Sequence, residues 1–600
     1  MKTRTTSKSN NTDKHPFIRT AVKSALLSAA TSLLCTCVYA QEGQPPVSPF
    51  DREIDLQNKQ RQQEEINRQL DKNRRGSVLQ PAPEPAPTPE QMPEEAGPKF
   101  LIHTIAVDAG EYANLAVDVD DILATYRNRE LGSPELFSLI RDLTNRYAEK
   151  GFSTTTISLL PKNIKQGVVE LKVNWGHVDG WLVNGQKPEG IQQTLITRLA
   201  MPGIIGKPLN IHQVDQMVEN LNNAAKTARI DIQPSPRLGY SYLNLITESK
   251  GLPSVTLRAD NSGLGGPSDG RYRFSASTSA SDLLLGNDTL GLNLSSRRFA
   301  VDDDNSEYNA GINYSVPFGY SKVDLRFNHS QYEKLLTGGI YGNYGTSGNS
   351  QTYAAKFSRV LMREKTQKFS ASVELEHKRN VNYVSDARTK PSSRPYTSLA
   401  FGLEHVTQFL GGSLYSDATF SQGLSAWGSG QSAYEDRKYK SSENREAKNF
   451  KKIELNTAWS RPFTWLDNNF NFSSRIGAQY SQDNLLTAEK IGIGDEFTVR
   501  GFRGPALWGD QGIYISNTVS MPLQLLGGSI SPLFGLDSGY VRDVTFKQNS
   551  GGITGLAIGA SGSWRFGGAS ITLGVPLAMD DEIRNSTDAS VLYISTYLTF

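Results

Sequence analysis

Beyond residue 37 the chain contains no cysteine; its two, Cys35 and Cys37, stand near the start of 600 residues. A disulfide framework or thiolate metal site is therefore excluded from everything that follows. Histidine is sparse as well, with seven residues scattered at no metal-ligand spacing, and no glycine-rich phosphate loop occurs, so neither a metal nor a cofactor is expected. Charge of one sign is missing: 63 basic residues against 61 acidic leave a net charge of +2, without the basic footprint of a nucleic-acid binder. A hydrophobic fraction of 37% and a mean hydropathy of -0.43 are too polar for a helical membrane protein. After residue 40 no segment approaches the roughly 18 unbroken apolar residues that a membrane helix needs.

One apolar run exists, from Ala21 to Ala40. It follows Lys14, Arg19 and Lys23 and ends in Val38-Tyr39-Ala40, the pattern of a secretory signal over residues 1–40 with the mature chain starting near Gln41. A lipid anchor on Cys35 is the competing reading, and Leu34 is too large for the usual lipoprotein cleavage site.

Residues 50–75 are dense in Gln, Glu, Arg and Lys, with only Phe50, Ile54, Leu56, Ile66 and Leu70 apolar. This is good helix composition with almost no hydrophobic face, so the helix is expected to have no core to join, being either solvated or resting in a polar cavity. A proline-rich spacer follows at 76–98, centred on Pro81 to Pro89. Two units of similar α+β plan come next, 99–175 and 176–248. The first pairs a strand over Phe100–Val107 with a helix capped by Ser133, Pro134 at its first position and Leu136, Leu139, Ile140, Leu143 and Tyr147 at helical spacing. Strands Ser153–Leu160 and Val168–Trp175 close it. The second has Val178–Val183, a helix with Ile211, Val214, Met217, Val218 and Leu221 on one face, then Arg229–Gln233 and Tyr240–Ile246; the repeated plan suggests tandem modules.

From 252 to 600 the texture changes to alternation. In Arg271–Ala280, Tyr272, Phe274, Ala276, Thr278 and Ala280 share one face while arginines and serines take the other. The same split recurs over Tyr308–Val316 and Val323–Phe327. Tight turns near Gly286, Pro317, Gly411 and Gly567 alternate with long polar loops, which a soluble sandwich has no reason to do. About sixteen strands fit, roughly 22 residues per strand and connection, the size of an outer-membrane β-barrel. The last strand puts Leu592, Ile594, Thr596, Leu598 and Phe600 on one side, and eighteen of 24 tyrosines fall after residue 251, as aromatic girdles require.

The loop from Asp483 to Asp510, between the eleventh and twelfth strands, carries Val499-Arg500-Gly501-Phe502 and is followed by Gly509-Asp510-Gln511-Gly512; Leu533-Phe-Gly-Leu-Asp537-Ser-Gly539 comes after it. Taken alone the tetrapeptide could be a surface arginine in a long loop. With Tyr147-Ala-Glu-Lys-Gly-Phe152, Asp260-Asn-Ser-Gly263, Gln479-Tyr-Ser481 and the terminal Phe600, the chain resembles the two-partner secretion transporters, the haemolysin and filamentous-haemagglutinin secretion and activation family. Thr518 after Asn517 departs from the pattern, where an acidic residue is expected.

The resemblance implies two periplasmic POTRA domains, an N-terminal helix that plugs a polar lumen, and a location in the outer membrane of a Gram-negative bacterium. It implies that the loop bearing Arg500 folds into the lumen and that Asp537 is its partner, a latch with Val499, Gly501, Phe502, Gly509, Asp510 and Gly512 around it. It also implies a large exported partner protein with an N-terminal secretion domain, translocated unfolded without nucleotide, together with contacts to outer-membrane lipids and, during biogenesis, to the barrel-assembly machinery. The partner is expected to add a strand at a POTRA sheet edge, with Arg229, Ile230, Asp231, Ile232 and Gln233, or Ser153–Leu160, as candidates.

Other classes fit less. Gly266-Pro-Ser-Asp-Gly270 matches the nucleophile-elbow spacing but has no helix after it, so no enzyme activity is expected. A barrel-assembly insertase would carry more POTRA modules than 99–248 can hold, and a passive porin would need neither tandem modules nor a plug.

Overall fold

The computed structural model describes residues 49–75 and 98–600, apart from internal stretches at 161–163, 224–225, 250–252, 263–270, 285, 299–304, 340–341, 389–392, 394, 428–448, 505, 526, 545–549 and 586. The expected signal, nearly all of the proline-rich spacer and the 266–270 segment lie outside the described residues.

Helix α1, Pro49–Arg75, has 27 residues and so runs about 40 Å. The expectation that it has no core to join is corrected: Ile66 and Leu70, one turn apart, are buried against Val406, Tyr415 and Ala458 of the barrel wall. Two aliphatic side chains at roughly 1.5–3 kcal/mol each form a small anchor. Leu56 is buried as well, and polar contacts supply much of the remaining attachment.

In the first α+β unit, β1 (Phe100–Ile102) and β2 (Thr104–Asp108) replace the single strand expected over 100–107. The break falls at His103, whose N–H donates to the Gly167 carbonyl at 2.8 Å, so β1 pairs β3 (Arg129–Leu131) while β2 joins the main sheet. Helix α2 (Asp120–Tyr126) precedes β3, and α3 spans Ser133–Glu149. Its cap lies one residue earlier than expected, at Gly132, whose N–H donates to the Glu135 carboxylate at 2.9 Å. Leu139, Leu143 and Tyr147 pack under a sheet ordered β2-β5-β4, where β4 is Thr156–Leu160 and β5 Val168–Asn174.

The second unit repeats this plan with β6 (His177–Val183), α4 (Gly190–Ala200), α5 (Ile211–Leu221), β7 (Lys226–Pro234) and β8 (Tyr240–Ser249). Asn210 caps α5 by accepting the His212 N–H at 2.9 Å. Val214, Met217, Val218 and Leu221 of α5 share a core with Ala228, Ile230, Leu243 and Leu245. The sheet order is β6-β8-β7, so β7, like β4 in the first unit, is an edge strand.

Sixteen antiparallel strands then close into a barrel, from strand 1 (Ser254–Asp260) and strand 2 (Tyr272–Ser281) to strand 16 (Val591–Thr599). Alternation sets the two faces: Tyr272 and Phe274 are exposed, whereas Arg273 between them is buried and bonded to Asp260 at 2.9 Å. The seam is short. Strands 16 and 1 pair from Ser595 opposite Asp260 to Thr599 opposite Thr256, and Val255 and Phe600 exchange backbone hydrogen bonds at 2.9 and 3.2 Å beyond that. The Asn261 side chain lengthens it, accepting the Ile594 N–H at 2.7 Å and donating to the Leu592 carbonyl at 2.6 Å.

The second α+β unit is seated on the short-turn end of the barrel. The Gly319 N–H donates to the Leu199 carbonyl at 2.9 Å, the Asn220 amide to the Gly319 carbonyl at 2.6 Å, and buried Lys226 pairs Asp282 at 2.8 Å.

Candidate functional site

The connection between strand 11 (Asn468–Ser481) and strand 12 (Gln511–Ser520) folds back against the inner faces of the last strands. A hairpin stiffens it, Ile491–Ile493 pairing Leu507–Gly509, and Arg500 lies between those two short strands. Arg500 meets Asp537 on strand 13 (Gly528–Arg542): Nε donates to Oδ2 at 2.6 Å, Nη2 to Oδ1 at 2.7 Å, and the Arg500 backbone N–H to Oδ2 at 3.0 Å. Planar guanidinium against carboxylate is the bidentate geometry that Lys cannot supply. Asp537 is fully buried and accepts further bonds from the Ser516 hydroxyl at 2.9 Å and the Asn517 N–H at 3.2 Å. Thr518, where an acidic residue was expected, accepts an Arg500 Nη2 bond at 3.0 Å, as does the Asn517 carbonyl. A neutral hydroxyl thus completes the donor's coordination without adding a second negative charge.

Two glycines make room for this arrangement. A Cβ on Gly555 of strand 14 (Gly551–Trp564) would stand 1.7 Å from the Arg500 carbonyl oxygen, and one on Gly535 2.1 Å from its Nη2. Val499 and Phe502 are buried with Ile493, Leu507, Tyr514, Val541, Ile553 and Ile583, an apolar core inside the lumen. Gly501, at φ 117°, turns its N–H to the Tyr593 hydroxyl at 3.0 Å, and that hydroxyl donates to the Phe502 carbonyl at 2.5 Å. Asp510 is buried and accepts N–H bonds from Leu485 at 2.7 Å and Val544 at 2.8 Å. Gly509 ends the hairpin, and Gly512, the second residue of strand 12, lies opposite Val541. All the loop residues singled out in the sequence therefore converge, whereas Arg229–Gln233 lie apart on β7.

Several contacts carried no sequence signal. Glu489 accepts from Lys452 Nζ at 2.9 Å and the Tyr396 hydroxyl at 2.8 Å, with Lys378 Nζ at 3.5 Å, fixing the start of the loop to the barrel wall. Lys59 of α1 donates to Asp495 Oδ2 at 2.7 Å and to the Gly492 carbonyl at 2.9 Å, and pairs Asp55 at 2.7 Å. Arg273 Nη2 donates to Gln60 at 2.9 Å, and Arg258 pairs Glu64 at 2.9 Å. Near the other end of α1, Arg74 donates to the Ser460 hydroxyl at 2.9 Å. The helix therefore lies within the barrel, tied to the inner loop and to both sides of the wall. Each partner here is an ordinary polar residue in a polar segment, visible only once the barrel closes.

A sixteen-strand barrel, tandem α+β units on its short-turn end and an inner loop pinned by an arginine define an outer-membrane transport barrel with POTRA domains. The chain belongs to the family described as haemolysin secretion/activation protein ShlB/FhaC/HecB, which matches residues 239–562. A POTRA domain of ShlB type matches residues 100–176 and a second POTRA domain residues 177–234. The chain is 27% identical over 567 residues to the outer membrane transporter CdiB of Escherichia coli, covering 92% of this chain and 90% of the relative. It is 28% identical over 418 residues to the hemolysin transporter protein HpmB of Proteus mirabilis, covering 68% and 70%. The solved structure of CdiB from Escherichia coli superposes with a TM-score of 0.82 at 25% identity, covering 93% of this chain and all of that one. The protein is thus a two-partner secretion transporter of the outer membrane, non-enzymatic, with its POTRA domains in the periplasm, and it secretes a partner protein.

Proposed function

We propose that this transporter receives a large partner protein with an N-terminal secretion domain by strand addition at a POTRA edge and passes it unfolded through the lumen once α1 has left. The candidate partners are an adhesin, a haemolysin or a contact-dependent toxin. In this reading Arg500 and Asp537 form a structural latch that holds the inner loop clear of the path, and folding of the partner outside the cell supplies the drive in place of nucleotide. Lipids surround the barrel, whose assembly relies on the barrel-assembly machinery. The proposed division of the chain is a signal over 1–40, a plug helix over 50–75, a linker over 76–98, POTRA domains over 99–175 and 176–248, and the barrel from 252.

The observation that carries the reading is the occupant of the lumen. The wall is a continuous ladder of backbone hydrogen bonds, whereas α1 is held mainly by side-chain contacts that can be exchanged one at a time for water or for a passing polar chain. Edge strand β7 supports the receiving step: Arg229 is exposed, Ile230 is in the core, and among the described residues the strand pairs only β8. Replacing Arg229 or Asp231 by a photo-crosslinking residue in cells that make the cognate partner tests this. Cross-links from both positions to the partner's secretion domain are expected, and their absence while secretion proceeds would sink the assignment.

A further inference from the structure

Glu219 lies in the last turn of α5, and its carboxylate is the meeting point of three separate parts of the molecule. It accepts from Lys72 of α1 at 3.4 Å, from Arg363 at 2.5 Å and from Lys368 at 3.1 Å. Arg363 ends strand 6 (Gly342–Arg363) and Lys368 is the second residue of strand 7 (Gln367–Val384), so both flank one short turn of the barrel rim. Two amides close the cluster: Arg363 also donates to Gln216 of α5 at 2.7 Å, and Lys368 to Gln69 of α1 at 3.1 Å. Among the described residues, Glu219 is the carboxylate within ion-pair distance of all three cations, and none of the three has another.

We propose that Glu219 is a positioning residue that clasps the periplasmic end of α1 to both the second POTRA domain and the barrel rim, so that release of the plug is coupled to movement of α5. The inference rests on the reading of α1 as a plug. With the carboxylate present, the positive charges of α1 and the rim are bridged; without it, Lys72 faces Arg363 and Lys368 and is repelled from them. The coupling has a short path. Val218 and Leu221, flanking Glu219 on α5, pack in one core with Ala228 and Ile230 of edge strand β7. A partner strand added to β7 therefore acts one side-chain layer away from the clasp, and a small rotation of α5 withdraws the anion that holds Lys72.

The test uses the full-length transporter in planar bilayers, with barrel folding checked by heat-modifiable gel migration. E219Q keeps the shape of the side chain and removes its charge; the fraction of time the pore is open is expected to rise roughly tenfold, since partial wetting softens the loss of a paired charge. In the double variant E219Q/K72E the carboxylate returns on the α1 side, still facing Arg363 and Lys368. The pore is expected to close again, while secretion of the partner falls because α1 no longer answers to α5. An unchanged open fraction in E219Q, alongside a pore that opens when residues 49–75 are deleted, overturns the clasp. So does an E219Q pore that K72E fails to close. A deletion that leaves conductance unchanged overturns the plug reading itself.

Discussion

Arg500 and Gly535 claim the same volume: a Cβ on Gly535 would stand 2.1 Å from Arg500 Nη2, with the guanidinium carbon at 2.6 Å. One methyl group at position 535 is therefore expected to expel the arginine although neither member of the ion pair is replaced. Arg500→Ala leaves fully buried Asp537 without its cation, at a cost of roughly 3–5 kcal/mol. Gly535→Ala is expected to reproduce that phenotype, with normal barrel abundance and secretion reduced at least about tenfold, and Arg500→Lys to share it. Secreted partner per unit of heat-modifiable barrel is the measurement. Normal secretion by both Gly535→Ala and Arg500→Ala would show that the latch has no role in transport.

What the sequence made legible follows from periodicity and from a short motif. Alternation over Arg271–Ala280 marked a strand with one greasy and one wet face, and counting such segments located the loop of Arg500 between strands 11 and 12. Helical spacing in α3 and α5 marked the two POTRA cores. The missed contacts are long-range and polar. Lys59 meets Asp495 from 436 residues away, and Glu219 meets Lys72 across 147; nothing local distinguishes either from a solvated charge. The polar composition of α1 concealed its anchor because two apolar residues, Ile66 and Leu70, suffice when the opposing surface is a barrel wall. Gly535 and Gly555 look like ordinary strand glycines until the loop that crowds them is in place.

Lys59 separates the hold on the plug from the hold on the inner loop. Asp495 divides its oxygens: Oδ2 takes Lys59 at 2.7 Å, while Oδ1 accepts the N–H groups of Phe497 and Thr498, each at 2.9 Å. Lys59→Met removes the cation and leaves the loop turn intact, stranding Asp495 and Asp55 together. Its open fraction in bilayers is expected to rise about tenfold or more, with secretion preserved. Asp495→Ala breaks both functions and is expected to raise conductance and lower secretion together. Equal phenotypes for the two variants would mean that α1 and the loop are held as one unit.

The charge state of Glu219 predicts how its contribution depends on pH. Burial disfavours ionisation there, but Lys368, Lys72 and Arg363 outweigh it and hold the carboxyl well below the ordinary glutamate value of 4.5. A depressed carboxylate stabilises the folded state fully at pH above its unfolded value, and that stability falls away as pH drops from the unfolded value to the lower folded one. The difference in thermal midpoint between wild type and Glu219→Gln is thus expected to stay constant from pH 8 to about pH 5 and to shrink only below 4.5. Comparing the two proteins at each pH removes the titration of other acids, which both share. A difference that vanishes above pH 5 would place the glutamate in solvent, free of its three cations, and the shared node between plug, POTRA domain and rim would then not exist in solution.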